Sequence, residues 1–87
     1  MSYAIQLKKA ALKDLYKLPK EASRKIAQDI NALGQNPRPP GCKKLKGVDD
    51  LYRIRTGNYR IVYQIYDKVL VVLVVFIGDR KEVYRNL

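Results

Sequence analysis

The chain contains no histidine, which removes the usual general base, the most common zinc ligand and every Ser-His or Cys-His nucleophile pair. Its single cysteine, Cys42, cannot form a disulfide within the chain, as is typical of proteins from reducing compartments. Acidic residues are also scarce, since 8 of them stand against 18 Lys and Arg. Any catalysis must therefore rely on Arg, Lys, Tyr, a carboxylate or the substrate itself.

The excess of positive charge gives the chain a net charge of +10, and it is spread over both halves of the sequence. Such a footprint is typical of proteins that bind nucleic acid. The alternatives are a lysine-rich surface without a ligand, or a site for an acidic protein. Eighty-seven residues with 47% hydrophobic content predict one folded domain over 1–87.

Long apolar segments are missing as well. The apolar run at residues 69–77 has nine residues, too few to span a bilayer. The first residues, MSYAIQLKK, lack the apolar core of a signal peptide. These features predict a cytoplasmic protein without a membrane partner.

Periodicity predicts an α+β fold in the order β-α-α-β-β-β, with an N-terminal helical hairpin packed on a small, mostly antiparallel sheet. Residues 2–7 alternate as a strand, and residues 20–33 form the second helix, which Gly34 is expected to stop. The predicted apolar stripe of the first helix consists of Leu12, Leu15 and Tyr16, and that of the second of Ala22, Ile26, Ile30 and Leu33. After the irregular NPRPPGC segment, KKLKG is expected to form a short extended piece.

The segment YRIRTGNYRIVYQ, residues 52–64, predicts a β-hairpin closed by the Gly57-Asn58 turn. Counting outward from this turn places Arg55 opposite Arg60 on one face of the hairpin. Arg53 joins them, while the opposite face is apolar and carries Tyr52, Ile54, Ile61 and Tyr63. Like charges directly across a sheet are destabilising, and no acidic residue lies between Leu51 and Tyr66. This arrangement indicates an anion site.

A turn at Asp67-Lys68 is expected to bring residues 69–77 back as a third strand, pairing Val62 with Leu73 and Arg60 with Val75. Gly78, Asp79 and Arg80 would then emerge beside the arginine pair, with Tyr84 four residues further on. The arginines, Arg60 and Arg80 among them, are expected on the solvent side. The new strand is apolar on both faces. The face of this strand that points away from the helices is expected to be covered either by a partner protein or by the C-terminal tail.

Tyrosines interleave with these arginines, and phenol rings can stack on unpaired bases. Tyr52, Tyr59 and Tyr63 are therefore either base-stacking residues or core aromatics. For Tyr52 and Tyr63 the position on the apolar face favours the core.

Nearly the whole chain resembles the RelE/ParE superfamily of toxins from toxin–antitoxin systems. KLKG and the run from YRIRTGNYRIVYQ to IGDRKEVY carry the resemblance, and the blocks NYRIVYQ and IGDRKEVY are similar to the RelE branch. The resemblance implies an mRNA interferase, an endoribonuclease that cleaves mRNA in the ribosomal A site by attack of a 2′-OH on the adjacent phosphate. It implies no metal or cofactor. An acidic antitoxin, the ribosome and mRNA are the implied partners, with the antitoxin forming a hetero-oligomer.

The resemblance also implies roles for particular residues. Arg60 and Arg80 match arginines that hold the phosphate and stabilise the transition state, and Tyr84 matches a tyrosine that stacks on the base and assists proton transfer. Arg53 and Arg55 stand where other members carry lysines. The implied catalytic residues are Arg53, Arg55, Arg60, Arg80 and Tyr84, and the implied RNA contacts are Lys44, Lys46 and Arg53.

Arginine in place of lysine changes the expected chemistry, because arginine is effectively never deprotonated and so cannot be the general base. Arg55 is instead expected to lower the pKa of the 2′-OH and stabilise the anion. The base is then Tyr84, a carboxylate such as Glu82, or a group of the ribosome or RNA. Two other functions fit the same fold, a ParE-like inhibitor of DNA gyrase and an inactive relative that binds nucleic acid or antitoxin.

Overall fold

In the computed structural model, which describes residues 2–45 and 50–79, one short strand is followed along the chain by two helices and then by four more strands. In chain order the elements are β1 (Ala4–Leu7), α1 (Lys9–Lys17), α2 (Lys20–Gln35), β2 (Lys43–Lys44), β3 (Leu51–Thr56), β4 (Tyr59–Tyr66) and β5 (Val71–Asp79). They form one five-stranded sheet in the order β1-β5-β4-β3-β2. The pair β1–β5 is parallel and the other pairs are antiparallel. The predicted α+β architecture is confirmed, with the extended KK piece added as the edge strand β2.

Helix α1 turns a different face to the sheet from the one predicted. Ala11 is fully buried and Leu15 is half-buried, whereas Leu12 and Tyr16 are 39% and 78% exposed. Successive helical residues lie about 100° apart, so a stripe centred on Ala11 and Leu15 leaves Leu12 and Tyr16 at the outer border. The prediction that Leu12 and Tyr16 belong to the core was wrong.

Helix α2 buries Ile26, Ile30 and Leu33 as predicted, but Gly34 does not end it. The helix continues to Gln35, and Gly34 is buried against the first strand. The Tyr3 amide donates to the Gly34 carbonyl at 2.7 Å, and a Cβ on Gly34 would lie 3.0 Å from the Tyr3 carbonyl oxygen. Gly34 therefore permits close approach of α2 and β1.

The β3–β4 hairpin has the predicted register. Arg55 pairs with Arg60, Arg53 with Val62 and Tyr52 with Tyr63. Gly57 in the turn has φ +58°, a conformation that glycine adopts without a steric penalty.

The β4–β5 register differs from the predicted one by three residues at its far end. The turn spans Asp67 to Leu70, so Tyr66 pairs with Val71, and a bulge between Val62 and Tyr63 shifts the pairing further. Val62 consequently pairs with Phe76, and Arg60 with Gly78. The predicted pairs Val62–Leu73 and Arg60–Val75 were wrong, because a strand that is apolar on both faces provides no alternation to fix its register.

The sheet has a helix face, covered by α1 and α2, and a second face. The core between helices and sheet contains the fully or nearly fully buried side chains of Ile26, Ile30, Leu33, Ile54, Ile61, Tyr63, Ile65, Val72, Val74 and Ile77. A smaller cluster lies on the second face, where Leu51 and Val62 are buried and Leu45, Val75 and Phe76 pack against them. Whether residues 80–87 cover this face stays a prediction, since they lie outside the described residues. Within the described ranges, the helices are too short and too polar to cross a membrane.

Candidate functional site

Positively charged residues occupy two neighbouring rows across the second face, which we call the cationic rows. Paired residues in neighbouring strands have side chains on the same face of a sheet, so the register defines the rows. The first row is Lys43, Arg53, Val62 and Phe76, and the second is Arg55, Arg60 and Gly78. Four of these seven positions are cationic and none is acidic.

The pair Arg55–Arg60 is the centre of the cationic rows. Residues directly opposite in antiparallel strands have Cβ atoms about 5 Å apart, and like charges at such positions destabilise a sheet by a few tenths to about 1 kcal/mol. On the other side of Arg60, Gly78 has no side chain of its own, and the Phe76 ring lies over its Cα, where a Cβ would be only 2.6 Å from Phe76 Cε1. The arrangement favours a bound anion, because an anion between two guanidinium groups replaces their repulsion by charge-assisted hydrogen bonds.

The arginines differ in exposure. Arg55 is exposed and Arg53 is half-buried, but Arg60 is only 5% exposed. The expectation that Arg60 lies on the solvent side was wrong, because β4 is a central strand and its side chains have neighbours on both sides. The Arg60 side chain is therefore enclosed by its surroundings, whereas that of Arg55 is open to solvent.

A cleft of about 320 Å³ lies where the edge of β3 is open. Strand β2 pairs only with Tyr52 and Arg53, so within the described chain no strand covers the edge of β3 from Ile54 onward. The other walls of the cleft are helix α2 and the loop 36–41. Its lining consists of Asp29, Ala32, Leu33, Asn36, Pro39, Pro40, Gly41, Ile54 and Arg55.

The opposite end of the sheet holds one arginine in a neutral cluster. Arg38 Nη2 lies 2.9 Å from Asp67 Oδ2, and the Tyr3 hydroxyl donates to Asp67 Oδ1 at 2.6 Å. Hydrogen bonds from Arg38 and then from Tyr3 lower the pKa of Asp67 below its usual value. The Arg38 guanidinium also lies over the Tyr52 ring, 5.3 Å from its centroid.

The hairpin tyrosines belong to the core. Tyr63 is fully buried and donates its hydroxyl to the Pro37 carbonyl at 2.8 Å. Burial raises the pKa of Tyr63, and the nearby Cys42 adds to the shift. Its ring stacks on that of Tyr52 with centroids 6.0 Å apart, and Tyr59 packs against the same core. The core interpretation is thus confirmed for Tyr52 and Tyr63, and the packing of Tyr59 gives it the same role.

Comparison with known proteins identifies the family. Residues 5–84 match the family described as ParE toxin of type II toxin–antitoxin system, parDE. The chain belongs to this toxin family. It is 35% identical to a RelE-like toxin protein of Escherichia coli and 34% identical to the mRNA interferase toxin RelE of E. coli K12, in each case over 97% of this chain and 92% of the relative. The RelE–RelB complex of Pyrococcus horikoshii contains a similar fold, with a TM-score of 0.81 and 32% identity over 92% of this chain and 97% of that one.

Within this toxin family fold, the residues assigned by resemblance do not all lie together. Arg53, Arg55 and Arg60 share the second face. Lys44 pairs with Tyr52 and so belongs to the helix-face positions, whereas Lys43 pairs with Arg53 and extends the first cationic row. Lys43 was missed, although its alternation with Leu45, which packs on the second face, could have shown it.

Three residues assigned by resemblance, Lys46, Arg80 and Tyr84, lie outside the described residues, and so does Glu82. Asp79, which precedes Arg80 in the sequence, pairs with Tyr59, one position from the Arg55–Arg60 pair along β4. The convergence of Arg80 and Tyr84 with the cationic rows remains a prediction.

Proposed function

We propose that the protein is the toxin of a toxin–antitoxin pair and acts as an endoribonuclease that cleaves mRNA in the ribosomal A site, as one domain over residues 1–87. The observation that carries this proposal is the Arg55–Arg60 pair, with Arg53 in the neighbouring row. The name of the E. coli K12 relative, mRNA interferase toxin RelE, supports the same activity. Action on ribosomes places the protein in the cytoplasm.

The proposed reaction is transfer of the phosphate to the neighbouring ribose oxygen. The 2′-OH loses its proton and its oxygen bonds to phosphorus, the bond from phosphorus to the 5′ oxygen breaks, and that oxygen gains a proton. The products are a 2′,3′-cyclic phosphate and a 5′-OH. Negative charge builds up on the phosphoryl oxygens in the transition state, and arginine is suited to it because its donors form a planar fork and its charge is permanent.

Each arginine is proposed to have its own role in this reaction. Arg60 holds the phosphate from its buried position, Arg55 stabilises the attacking oxyanion, and Arg53 contacts the RNA strand. Arg80 completes the phosphate site and stabilises the leaving group. Preorganised donors of this kind typically supply several kcal/mol to a reaction of this class.

The proton of the 2′-OH goes to a group other than these arginines, because a guanidinium does not accept a proton at neutral pH. The candidate bases are Tyr84, Glu82 and a group of the ribosome or RNA. Tyr84 is also proposed to stack on the substrate base.

An acidic antitoxin is the proposed protein partner, and the two form a hetero-oligomer. The net charge of +10 and the exposed Lys43 and Arg55 of the cationic rows favour an acidic binding surface. The P. horikoshii relative has been solved in a RelE–RelB complex. A small acidic protein encoded beside this gene, and its co-purification with the toxin, would test this part of the proposal.

The decisive experiment maps mRNA 5′ ends by primer extension during expression of the wild type, Arg55→Ala and Arg55→Lys. The wild type should arrest translation and create new ends at A-site codons. Arg55→Ala should lower the cleavage rate at least about 100-fold, since removing one preorganised donor has effects of that size. Arg55→Lys should recover part of the loss by restoring the charge without the fork.

The control variant is Lys68→Ala, which removes one exposed positive charge at the β4–β5 turn, away from the cationic rows. It should cleave like the wild type. Arg60→Lys is preferable to Arg60→Ala, because truncating a side chain that is 5% exposed also disturbs packing. Full activity of Arg55→Ala would refute the catalytic role of the pair. Growth arrest with intact mRNA and gyrase-linked DNA damage would show a ParE-like inhibitor instead.

A further inference from the structure

We propose that the cleft at the open edge of β3 binds a nucleobase of the RNA strand whose phosphate lies at Arg55. The choice of RNA as the ligand rests on the proposed function. Base binding beside the scissile phosphate would give the enzyme a sequence preference determined by Asp29 and Asn36.

Arg55 links the cleft to the proposed phosphate site. It faces Arg60 across the hairpin, and it also lines the cleft next to Ile54. Because the two sites share a residue, a nucleotide that places its phosphate on Arg55 has its base within reach of the cleft. The volume of about 320 Å³ is at the lower end of the range for small-molecule sites and is ample for one base.

The walls of the cleft match a flat heterocycle with a polar edge. Ala32, Leu33 and Ile54 supply apolar surface, and two prolines, Pro39 and Pro40, line the loop side. A hydrophobic site with few polar groups is the usual form of a pocket for a planar ligand, and the polar groups determine which ligand fits.

Two polar side chains in the lining provide that recognition. The Asp29 carboxylate accepts from Thr56 Oγ1 at 3.0 Å and lies 3.3 Å from Lys25 Nζ, which holds it in place and leaves further lone pairs for a ligand. Asn36 Oδ1 accepts from the Arg38 amide at 3.1 Å, so the Asn36 amide group keeps its N–H donors. A carboxylate best matches guanine, which offers adjacent N1–H and N2–H donors, and the asparagine donors can meet an acceptor on the same base.

The loop side of the cleft is fixed before any ligand binds. The Pro37 carbonyl accepts the Tyr63 hydroxyl, Arg38 is paired with Asp67, and the Cys42 amide donates to the Pro39 carbonyl at 3.0 Å. The first two contacts hold the start of the loop 36–41 against the sheet, and the third closes a turn at its end. Because the site is preformed, little binding free energy is lost in ordering the loop when a ligand binds.

The test is an NMR titration of the ¹⁵N-labelled protein with GMP, AMP, CMP, UMP and inorganic phosphate. Every ligand should shift the Arg55 amide, whereas only nucleotides should shift the Ala32 and Gly41 amides, with GMP binding most tightly. Asp29→Asn should weaken GMP about tenfold and affect AMP less, because hydrogen bonds to a charged acceptor are among the stronger ones. Asp14→Asn on α1 removes the same charge away from the cleft and should leave all affinities unchanged.

Three outcomes would overturn the proposal. The first is that inorganic phosphate reproduces the nucleotide shifts, and the second is that Asp29→Asn binds GMP like the control. The third is that the purified antitoxin alone shifts Ala32 and Gly41, which would make the cleft a protein-docking site. The titration requires no cleavage. Nucleotide shifts in the cleft without mRNA cleavage would therefore refute the proposed function and support base binding. Cleavage without those shifts would support the proposed function and refute base binding in the cleft.

Discussion

Arg38 and Arg55 lie toward opposite ends of the same sheet and have opposite electrostatic surroundings. Arg38 has the Asp67 carboxylate at 2.9 Å and the face of Tyr52 beside it. Arg55 faces a second arginine, Arg60, and among the described residues it forms no ion pair. Arg38, whose charge is neutralised by Asp67, ties a loop to the sheet. Arg55, which lies opposite another arginine, favours a bound anion. The charge opposite each arginine is thus what distinguishes the two.

The sequence alone does not distinguish these two arginines. Arg38 lies in a proline-rich segment, and its partner Asp67 is 29 residues away along the chain. Arg55 is paired within a hairpin whose turn has two residues, so its neighbour follows from counting. Local pairing could be predicted, and long-range pairing could not.

The largest expected effect concerns Tyr63, near the end of the sheet where Arg38 pairs with Asp67. Tyr63→Ala should lower the free energy of unfolding by about 3–5 kcal/mol, because it removes a fully buried aromatic ring. Tyr63→Phe keeps the ring and loses only the hydrogen bond to Pro37, which should lower it by about 1 kcal/mol. Urea unfolding followed by circular dichroism measures both.

Tyr66→Phe is the matched control for the hydroxyl, since Tyr66 is 39% exposed and donates to Gln64 near the surface. It should change stability by less than about 0.5 kcal/mol. Equal losses in Tyr63→Phe and Tyr66→Phe would mean that the Tyr63–Pro37 bond does not hold the loop.

The next effect is an increase in stability and concerns the Arg55–Arg60 pair in the cationic rows. Arg55→Thr should raise the free energy of unfolding by up to about 1 kcal/mol, because it removes the repulsion across the hairpin. The gain should shrink in high salt, which screens charges at an exposed site. A gain that is independent of salt would reflect strand propensity rather than charge. The same variant should lose cleavage activity, as is common where stability and function compete.

The β3–β4 hairpin shows how much of the site could be predicted from sequence. Alternating residues around Gly57-Asn58 determined five of the six pairs of the hairpin, and with them the arginine pair. The fold class followed from similar periodicity. These features depend on neighbours close in sequence, where pattern and turn chemistry are sufficient.

The failures share a physical reason. Strand β5 is apolar on both faces, so neither its register nor its bulge left a signal in the sequence. Helix α1 has apolar residues on more than one stripe, and only contact with the sheet decides that Ala11 and Leu15 face inward. The cleft brings α2, the loop 36–41 and β3 together from three parts of the chain, which no local pattern encodes.

The smallest effect tests the Arg38–Asp67 pair through pH. The pKa of Asp67 in the folded state lies below its usual value of 3.8, so the stability from the pair is fully present above that value. It is lost as pH falls through the folded-state pKa. The side chains are 44% and 53% exposed, so the contribution is small. Wild type and Asp67→Asn should differ in unfolding free energy by a constant amount from neutral pH to about pH 4, and the curves should converge below it.

Tyr63→Phe provides the reference for this measurement. Its stability curve should run parallel to that of the wild type through the acid range, because burial raises the pKa of the Tyr63 phenol and it is uncharged throughout that range. Parallel curves for Asp67→Asn as well would mean that Asp67 contributes no more charge interaction in the folded than in the unfolded protein. Arg38 would then hold the loop through its contact with Tyr52 alone, and the contrast with Arg55 would rest on packing instead of on charge.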